Sequence, residues 1–151
     1  MSVEALFLQF SADKLGEFNE QIEVCLGKLT FDQIWARGSQ GENAIGNLVL
    51  HLTGNVRQWI VSSLGGREWA RDRDSEFSAS GGLSAGELAA GLRGTVDEAR
   101  DIIRGLDTER LLRTYEIQRF LSSGVEAVYH VVEHFAMHTG QIIFVTKSFT
   151  S

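Results

Sequence analysis

Four long stretches of this chain repeat apolar residues at every third or fourth position, and no stretch alternates them convincingly, so the pattern calls for packed helices. Val3, Leu6, Phe7, Phe10, Phe18, Ile22, Cys25, Leu26 and Leu29 predict the first helix. Ile45, Leu48, Val49, Leu52, Val56, Trp59, Ile60 and Leu64 predict the second, ended by Gly65 and Gly66. Leu88, Leu92, Val96, Ala99, Ile103 and Leu106 give the third its face. Val125, Val128, Val132, Phe135 and Ile142 give the fourth.

Start signals agree with the periods. Thr30 and Gln33, Ser84 and Glu87, and Ser123 and Glu126 each have the spacing of a capping box, in which side chain and backbone satisfy each other's free groups. The first box opens a short helical turn at "FDQIWAR". The other two open helices three and four. Between helices two and three, "REWARDRDSEFSASGG" reads as a long charged connection, and "LDTERLLRTYEIQRFL" before helix four reads as an extended or irregular crossover. The expected architecture is all-α, an antiparallel four-helix bundle formed by residues 1–151 as one domain. A bundle of this kind builds its sites from side chains on facing helices.

Charge narrows the partners. With 14 Lys and Arg against 20 Asp and Glu, the net charge is −6, and no basic cluster offers a footprint for nucleic acid. No apolar run approaches the ~18 residues of a membrane span, and the N-terminus lacks a basic region ahead of its apolar residues. The sequence reads as cytoplasmic. Cys25, the single cysteine, has no intrachain partner and sits among core-type neighbours.

The chain has four histidines, and three of them fall at intervals of four in "YHVVEHFAMHTGQII": His130, His134 and His138. Helical neighbours four apart are close enough for two imidazoles to share one ion. His130 and His138 are about 12 Å apart along the axis, so one adjacent pair ligates at most. Each four-residue step drifts about 40° around the helix, and here the drift runs toward the apolar stripe. His134 and His138 are therefore the expected pair. His51 flanks the apolar stripe of helix two on a polar strip with Asn47, Asn55 and Gln58. Three neutral imidazoles leave a divalent ion its charge and an open position, the arrangement of catalytic zinc sites. Zinc or nickel suits such a set best, and iron or manganese is chemically acceptable.

"LVLHLTGNVRQWI" together with "HFAMHTGQI" resembles the DinB-like (YfiT-like) superfamily of metal-binding four-helix bundles, most closely over residues 44 to 77 and 124 to 147. The resemblance implies a three-histidine site at His51, His134 and His138. It also implies a metal-dependent transferase or isomerase acting on a small-molecule substrate through a low-molecular-weight thiol such as bacillithiol, mycothiol or glutathione, and a homodimer. His130, Asn47, Asn55 and Glu133 are then candidates for supporting the ligands or touching substrate. Two other readings stand beside it. "HVVEH" (His130, Glu133, His134) matches the HxxEH pattern of inverted zinc proteases, with Glu133 as base. A non-enzymatic, dimeric metal-binding protein is the third. In "RDRDSEF", Asp72 and Asp74 read as solvated charges, while Arg71, Arg73 and Glu76 are candidates to tie the loop to the bundle or line the mouth of the site. Trp59 and Trp69 read as packing residues, and Tyr129 as within reach of a ligand.

Overall fold

The structure, a computed structural model, describes residues 1–39 and 41–151. Its core is made by four long helical segments: α1 (Val3–Gly27), α3 (Ile45–Val56) prolonged by a π-helical stretch (Arg57–Leu64), α5 (Ala85–Arg104) and α7 (Gly124–Thr150). α1 packs on α5 and α7, and α3 packs on the same two helices, so a single apolar cluster runs between them. Three short helices join the long ones: α2 (Phe31–Trp35), α4 (Arg73–Ser78) and α6 (Thr108–Leu112). No helix is long and apolar enough to cross a membrane among the described residues.

All three capping boxes form, at Thr30, Ser84 and Ser123, each with both reciprocal hydrogen bonds. α3 lacks a capping hydroxyl, and Asn47 substitutes from inside the helix by accepting the Ala44 N–H at 3.0 Å. Core faces on α3 and α5 match their apolar periods residue for residue: Leu48, Leu52, Val56 and Ile60, and Leu88, Leu92, Val96 and Ile103, are all buried.

Several elements depart from the expected arrangement. On α1 the core is Leu8, Ala12, Leu15, Ile22, Cys25 and Leu26, whereas Val3, Leu6 and Phe10 are exposed. The apolar run "LFLQF" offers two faces, and packing against α5 and α7 selects the one carrying Leu8. On α7 the stripe is Val128, Val131, Phe135 and Ile142, with Val125 exposed and Val132 half-buried. The charged connection contains α4, capped by Asp72 accepting the Ser75 N–H at 3.3 Å. Asp72 is thus a helix cap, and Asp74 stays exposed. Trp69 is exposed and lies against the Arg57 guanidinium, 5.8 Å from its ring centre, so it is no core residue.

The crossover is ordered too. After α6 it forms an antiparallel hairpin, β1 (Thr114–Ile117) on β2 (Phe120–Ser123), pairing Thr114 with Ser123 and Ile117 with Phe120. Only Gln118 and Arg119 remain for the turn, at φ 52° and 71°. Two successive positive φ angles are the geometry that matches the twist of a two-residue hairpin. The helix-dominated fold therefore carries a small sheet, against the expectation of an all-helical chain.

Candidate metal centre

α3 and α7 bring three histidines together. His51, His134 and His138 each offer a ring nitrogen, and these atoms lie within 4.8 Å of one another. The tightest approach is His51 Nε2 to His134 Nε2, 2.9 Å. The rings of His134 and His138 stand nearly perpendicular at 4.5 Å between centres, and those of His51 and His138 at 5.1 Å. Burial does not rank the α7 histidines as the drift argument expected, because His130, His134 and His138 are all half-buried. What separates them is the direction their nitrogens face.

His51 is fixed from behind. Its Nδ1 lies 3.0 Å from Glu76 Oε1, a carboxylate buried at 7% exposure on α4. Burial alone would raise the Glu76 carboxyl, but hydrogen bonds from Arg71 and His51 outweigh it and hold the group below the ordinary carboxylate value. An ionised carboxylate only accepts, so Nδ1 donates in that contact and Nε2 is the nitrogen left facing His134, while Arg71 Nη2 also lies 3.1 Å from Nδ1. Metal-bound histidines are oriented by such carboxylates. Arg71 clamps Glu76 with Nε and Nη2, both at 2.8 Å, and its Nη1 donates to Gln58 Oε1 at 3.0 Å. Gln58 in turn accepts from Gln118 of the hairpin turn at 2.7 Å. One polar chain thus runs from the turn to the histidine.

The backbone is shaped for that chain. A Cβ at Gly54, one turn after His51, would occupy the space of the Glu76 carboxylate and the Arg71 side chain. Asn47 donates to the Glu76 and Ala79 carbonyls at 2.9 and 2.7 Å, pinning α4 against α3. Asn47 therefore acts through Glu76. Phe77 covers the His51 ring at 4.8 Å, and the Arg73 guanidinium lies 5.0 Å over Phe77 on its outer side.

His138 repeats the pattern at lower charge. Its Nδ1 is 2.6 Å from Gln141 Oε1, an acceptor one turn further along α7, which again leaves Nε2 free. His134 differs. Its Nε2 faces His51, while its Nδ1 is buried without a hydrogen-bond partner among the described residues. Burial first, and then the neighbouring His138, His51, His130 and Arg71, lower its pKa to about 3. Burial likewise pushes His138 and His130 below their ordinary value.

This donor set fits a divalent ion. The Nδ1 atoms of His51 and His138 are engaged by Glu76 and Gln141, which leaves each ring its Nε2 as the ligand atom a metal requires. Two nitrogens bound tetrahedrally at roughly 2.0–2.1 Å sit about 3.3 Å apart, so the 2.9 Å pair needs to open by a few tenths of an ångström and the widest pair, within 4.8 Å, to close by up to about 1.5 Å.

His130 lies outside the set. Its Nε2 is 3.3 Å from Asn55 Nδ2, and its ring lies on Trp59 with centres 4.1 Å apart. Glu133 is exposed on α7, as is Tyr129. Glu76 and Arg71, read from sequence as tying the loop to the bundle or lining the site, do both, whereas Gln141 and Gln118 were not singled out. For Glu76 a signal existed in Gly54, a glycine on the polar strip of a helix, where a neighbour must approach closely.

A family described as protein of unknown function, DUF1572, matches residues 2–151. No curated protein matches the chain. Among solved structures, a conserved protein from Enterococcus faecalis is 14% identical with a TM-score of 0.76, covering 97% of this chain and 96% of its own. A DinB-like protein from Bacillus cereus is 15% identical with a TM-score of 0.69, over 88% and 86% of the two chains. The DinB-like protein YjoA from Bacillus subtilis is 13% identical at 0.70, over 93% and 92%. Identities this low carry the fold and nothing finer.

Proposed function

The chain belongs to the DUF1572 family and has the fold of DinB-like proteins, and from that premise we propose that it is a divalent-metal protein whose ion is held by His51, His134 and His138. One observation carries the reading. The Nδ1 atoms of His51 and His138 are occupied by Glu76 and Gln141, so each ring is left with Nε2 to offer, and one nitrogen of each lies within 4.8 Å of one from His134. An ion there, zinc or nickel before iron or manganese, supplies Lewis acidity that acidifies a thiol or a water. The four long helices act as an antiparallel bundle that holds the ligands on facing elements.

We assign the protein to metal-dependent transferases or isomerases that use a low-molecular-weight thiol. A groove of about 1020 Å³, lined by none of the three histidines and linked to them only through Gln141, is the space offered for a small-molecule substrate. Leu48, Met137, Phe144 and Phe149 give it apolar walls, and Gln141, the partner of His138, lines it as well. The inverted-protease reading needs Glu133 next to the ion, and Glu133 faces solvent while His130 is turned onto Trp59.

Elemental analysis of protein prepared without a histidine tag tests the proposal. About one divalent ion per chain is expected. Folded protein that holds none and gains no thermal stability from added zinc or nickel overturns it.

A further inference from the structure

The turn between β1 and β2 is an unusual place for a glutamine. Gln118 has φ 52° and Arg119 φ 71°. Positive φ is uncommon for residues other than Gly, Asn and Asp, and the two-residue turns that need it favour those three. Nothing in the turn itself calls for glutamine. The hairpin has other anchors, since Ile117 is 2% exposed, the Tyr115 hydroxyl donates to the Arg110 carbonyl at 3.2 Å, and the Gly124 N–H donates to the Arg113 carbonyl at 3.2 Å. Gln118 reaches the bundle instead. Its Nε2 donates to Gln58 Oε1 at 2.7 Å, a contact between residues 60 apart in sequence. A backbone outlier with a side chain so engaged points to function.

Gln58 is where the hairpin and the histidine flank meet. Its Oε1 accepts from Gln118 and, at 3.0 Å, from Arg71 Nη1, which uses both lone pairs of a carbonyl oxygen. The Arg71 guanidinium is planar and rigid, and its side chain is 3% exposed. Its Nε and Nη2 grip the two Glu76 oxygens at 2.8 Å, Nη2 also lies 3.4 Å from the His51 carbonyl, and Nη1 is left for Gln58. The plane cannot turn at the Gln58 end without moving the Glu76 end. Glu76 in turn holds His51 Nδ1 at 3.0 Å. Gln58 is only half-buried, so its long side chain keeps rotamer freedom unless a second contact removes it. Gln118 is that contact.

We propose that Gln118 is a positioning residue for the metal centre: by fixing the Gln58 side chain it sets the plane of Arg71, and with it Glu76 and the ring of His51. The hairpin turn and the ion are then coupled, so a change in the turn alters metal affinity without touching a ligand. By linkage, an ion strengthens the contact between Gln118 and Gln58 by the same factor. The proposal rests on the metal reading for the ion alone, because the contacts from Gln118 to His51 belong to the chain whether or not an ion binds.

Three substitutions in the full-length protein separate this role from a structural one. Gln118→Asn suits positive φ better but is one methylene short, Gln118→Met keeps the length and loses the donor, and Gln118→Lys keeps both reach and donor. Zinc affinity is expected to fall about three- to tenfold in the Asn and Met variants, at or below the low end for a group that orients a ligand directly, and to be largely restored in the Lys variant. Urea unfolding of the metal-free Asn variant should show no loss of stability. In nitrogen-15-labelled metal-free protein the Arg71 Nε–H resonance, identified by its absence in Arg71→Lys, should shift in the Asn and Met variants and return in the Lys variant. An equal loss of affinity in all three variants, or a loss of metal-free stability that accompanies it in the Asn variant, overturns the proposal. If the unmutated protein binds no zinc while the Arg71 resonance responds, the metal reading falls and the positioning of His51 stands. Zinc binding that is as tight in the Asn and Met variants as in the unmutated protein, or an Arg71 resonance that does not move, overturns the positioning role alone.

Discussion

The two flanks of the histidine cluster are built differently. On the His51 flank the polar side chains are linked in series: Glu76 takes Nδ1, Arg71 takes Glu76, Gln58 takes Arg71, and Gln118 reaches Gln58 from the hairpin turn. On the His130 flank Asn55, Trp59 and His134 each keep a buried polar atom without a partner. The first arrangement suits a group that must not move. A ligand held by a charged chain through α3, α4 and the hairpin keeps its ring orientation without help from an ion. The second is held by ring packing of His130 on Trp59 and His134 rather than by a charged chain.

The largest effect should come from removing a ligand. His51→Ala, His134→Ala and His138→Ala are each expected to lower zinc affinity by more than the roughly 100-fold that bounds the loss of an orienting partner. Zinc at a hundredfold excess over its Kd adds about 2.7 kcal/mol to the unmutated protein, a rise of roughly 5 to 11 °C in Tm for a chain of this size. That rise should disappear in all three variants, as differential scanning fluorimetry with a zinc titration would show. Retention of it in one variant removes that residue from the set.

Next is the carboxylate behind His51. Glu76→Ala leaves the Arg71 guanidinium, whose side chain is 3% exposed, buried without its counter-charge. Breaking such a pair costs about 3–5 kcal/mol, measurable by urea unfolding of the metal-free protein. Zinc affinity should fall about 10 to 100-fold in the same variant, since His51 loses the acceptor that fixes its tautomer. Glu76→Gln keeps an oxygen for Nδ1 and should recover part of the affinity. If both substitutions leave affinity intact, Glu76 serves the fold alone.

The contrast between the flanks also shows where sequence reading succeeded. The faces of α3 and α5 follow from period because each carries a single apolar stripe, and His51, His134 and His138 do come together, although not through the burial ranking that the drift predicted. α1 has apolar residues on two faces, so its period leaves the phase open and only packing decides it. The hairpin escaped because its turn is Gln118–Arg119, without the Asn-Gly or Asp-Gly signal that usually marks two positive φ angles. Within "RDRDSEF" the sequence set Glu76, with Arg71 and Arg73, apart from Asp72 and Asp74 as a residue to tie the loop to the bundle or line the site, but not as the partner of His51. The difference is tertiary: Glu76 alone of the three sits over Gly54 and beside Arg71. The His130 flank was the hardest to foresee, since the π-helical stretch that carries Trp59 has no marker in the residues that form it.

A smaller effect is expected from pH on the metal-free protein. His134 is held neutral down to about pH 3, while an unfolded chain titrates its histidines near 6.5. Between those values the unfolded state binds more protons, so stability rises with pH there and falls as the solution is acidified from 6.5. His130 and His138, also lowered, act in the same direction. The groups that face His134 are His51 from α3, His130 and His138 from α7, and Arg71, all of which oppose a further positive charge. A urea midpoint lower at pH 5 than at pH 7.5 is the expected result. Replacing His134 by Ala should reduce the difference, and an unchanged slope in that variant would mean that other groups carry it.

The smallest effect on metal binding should come from His130, and it sharpens the comparison most because HxxEH chemistry predicts the reverse. His130 is on the same helix as His134 and one turn away, yet its Nε2 is engaged with Asn55 and its ring with Trp59. It belongs to the flank with unpaired atoms. His130→Ala should therefore lower zinc affinity by no more than about tenfold, through loss of support for His134. The same substitution removes the ring that lies on Trp59, so the indole resonance and fluorescence of Trp59 should change even where zinc affinity does not. A protease-type site would behave otherwise, since it takes its ion between His130 and His134, uses Glu133 as base, and has no use for His138. Zinc titrations of His130→Ala and His138→Ala side by side separate the two. If His130→Ala abolishes the zinc-induced rise in Tm and His138→Ala preserves it, the ion is on the wrong flank of this description and the HxxEH assignment replaces it.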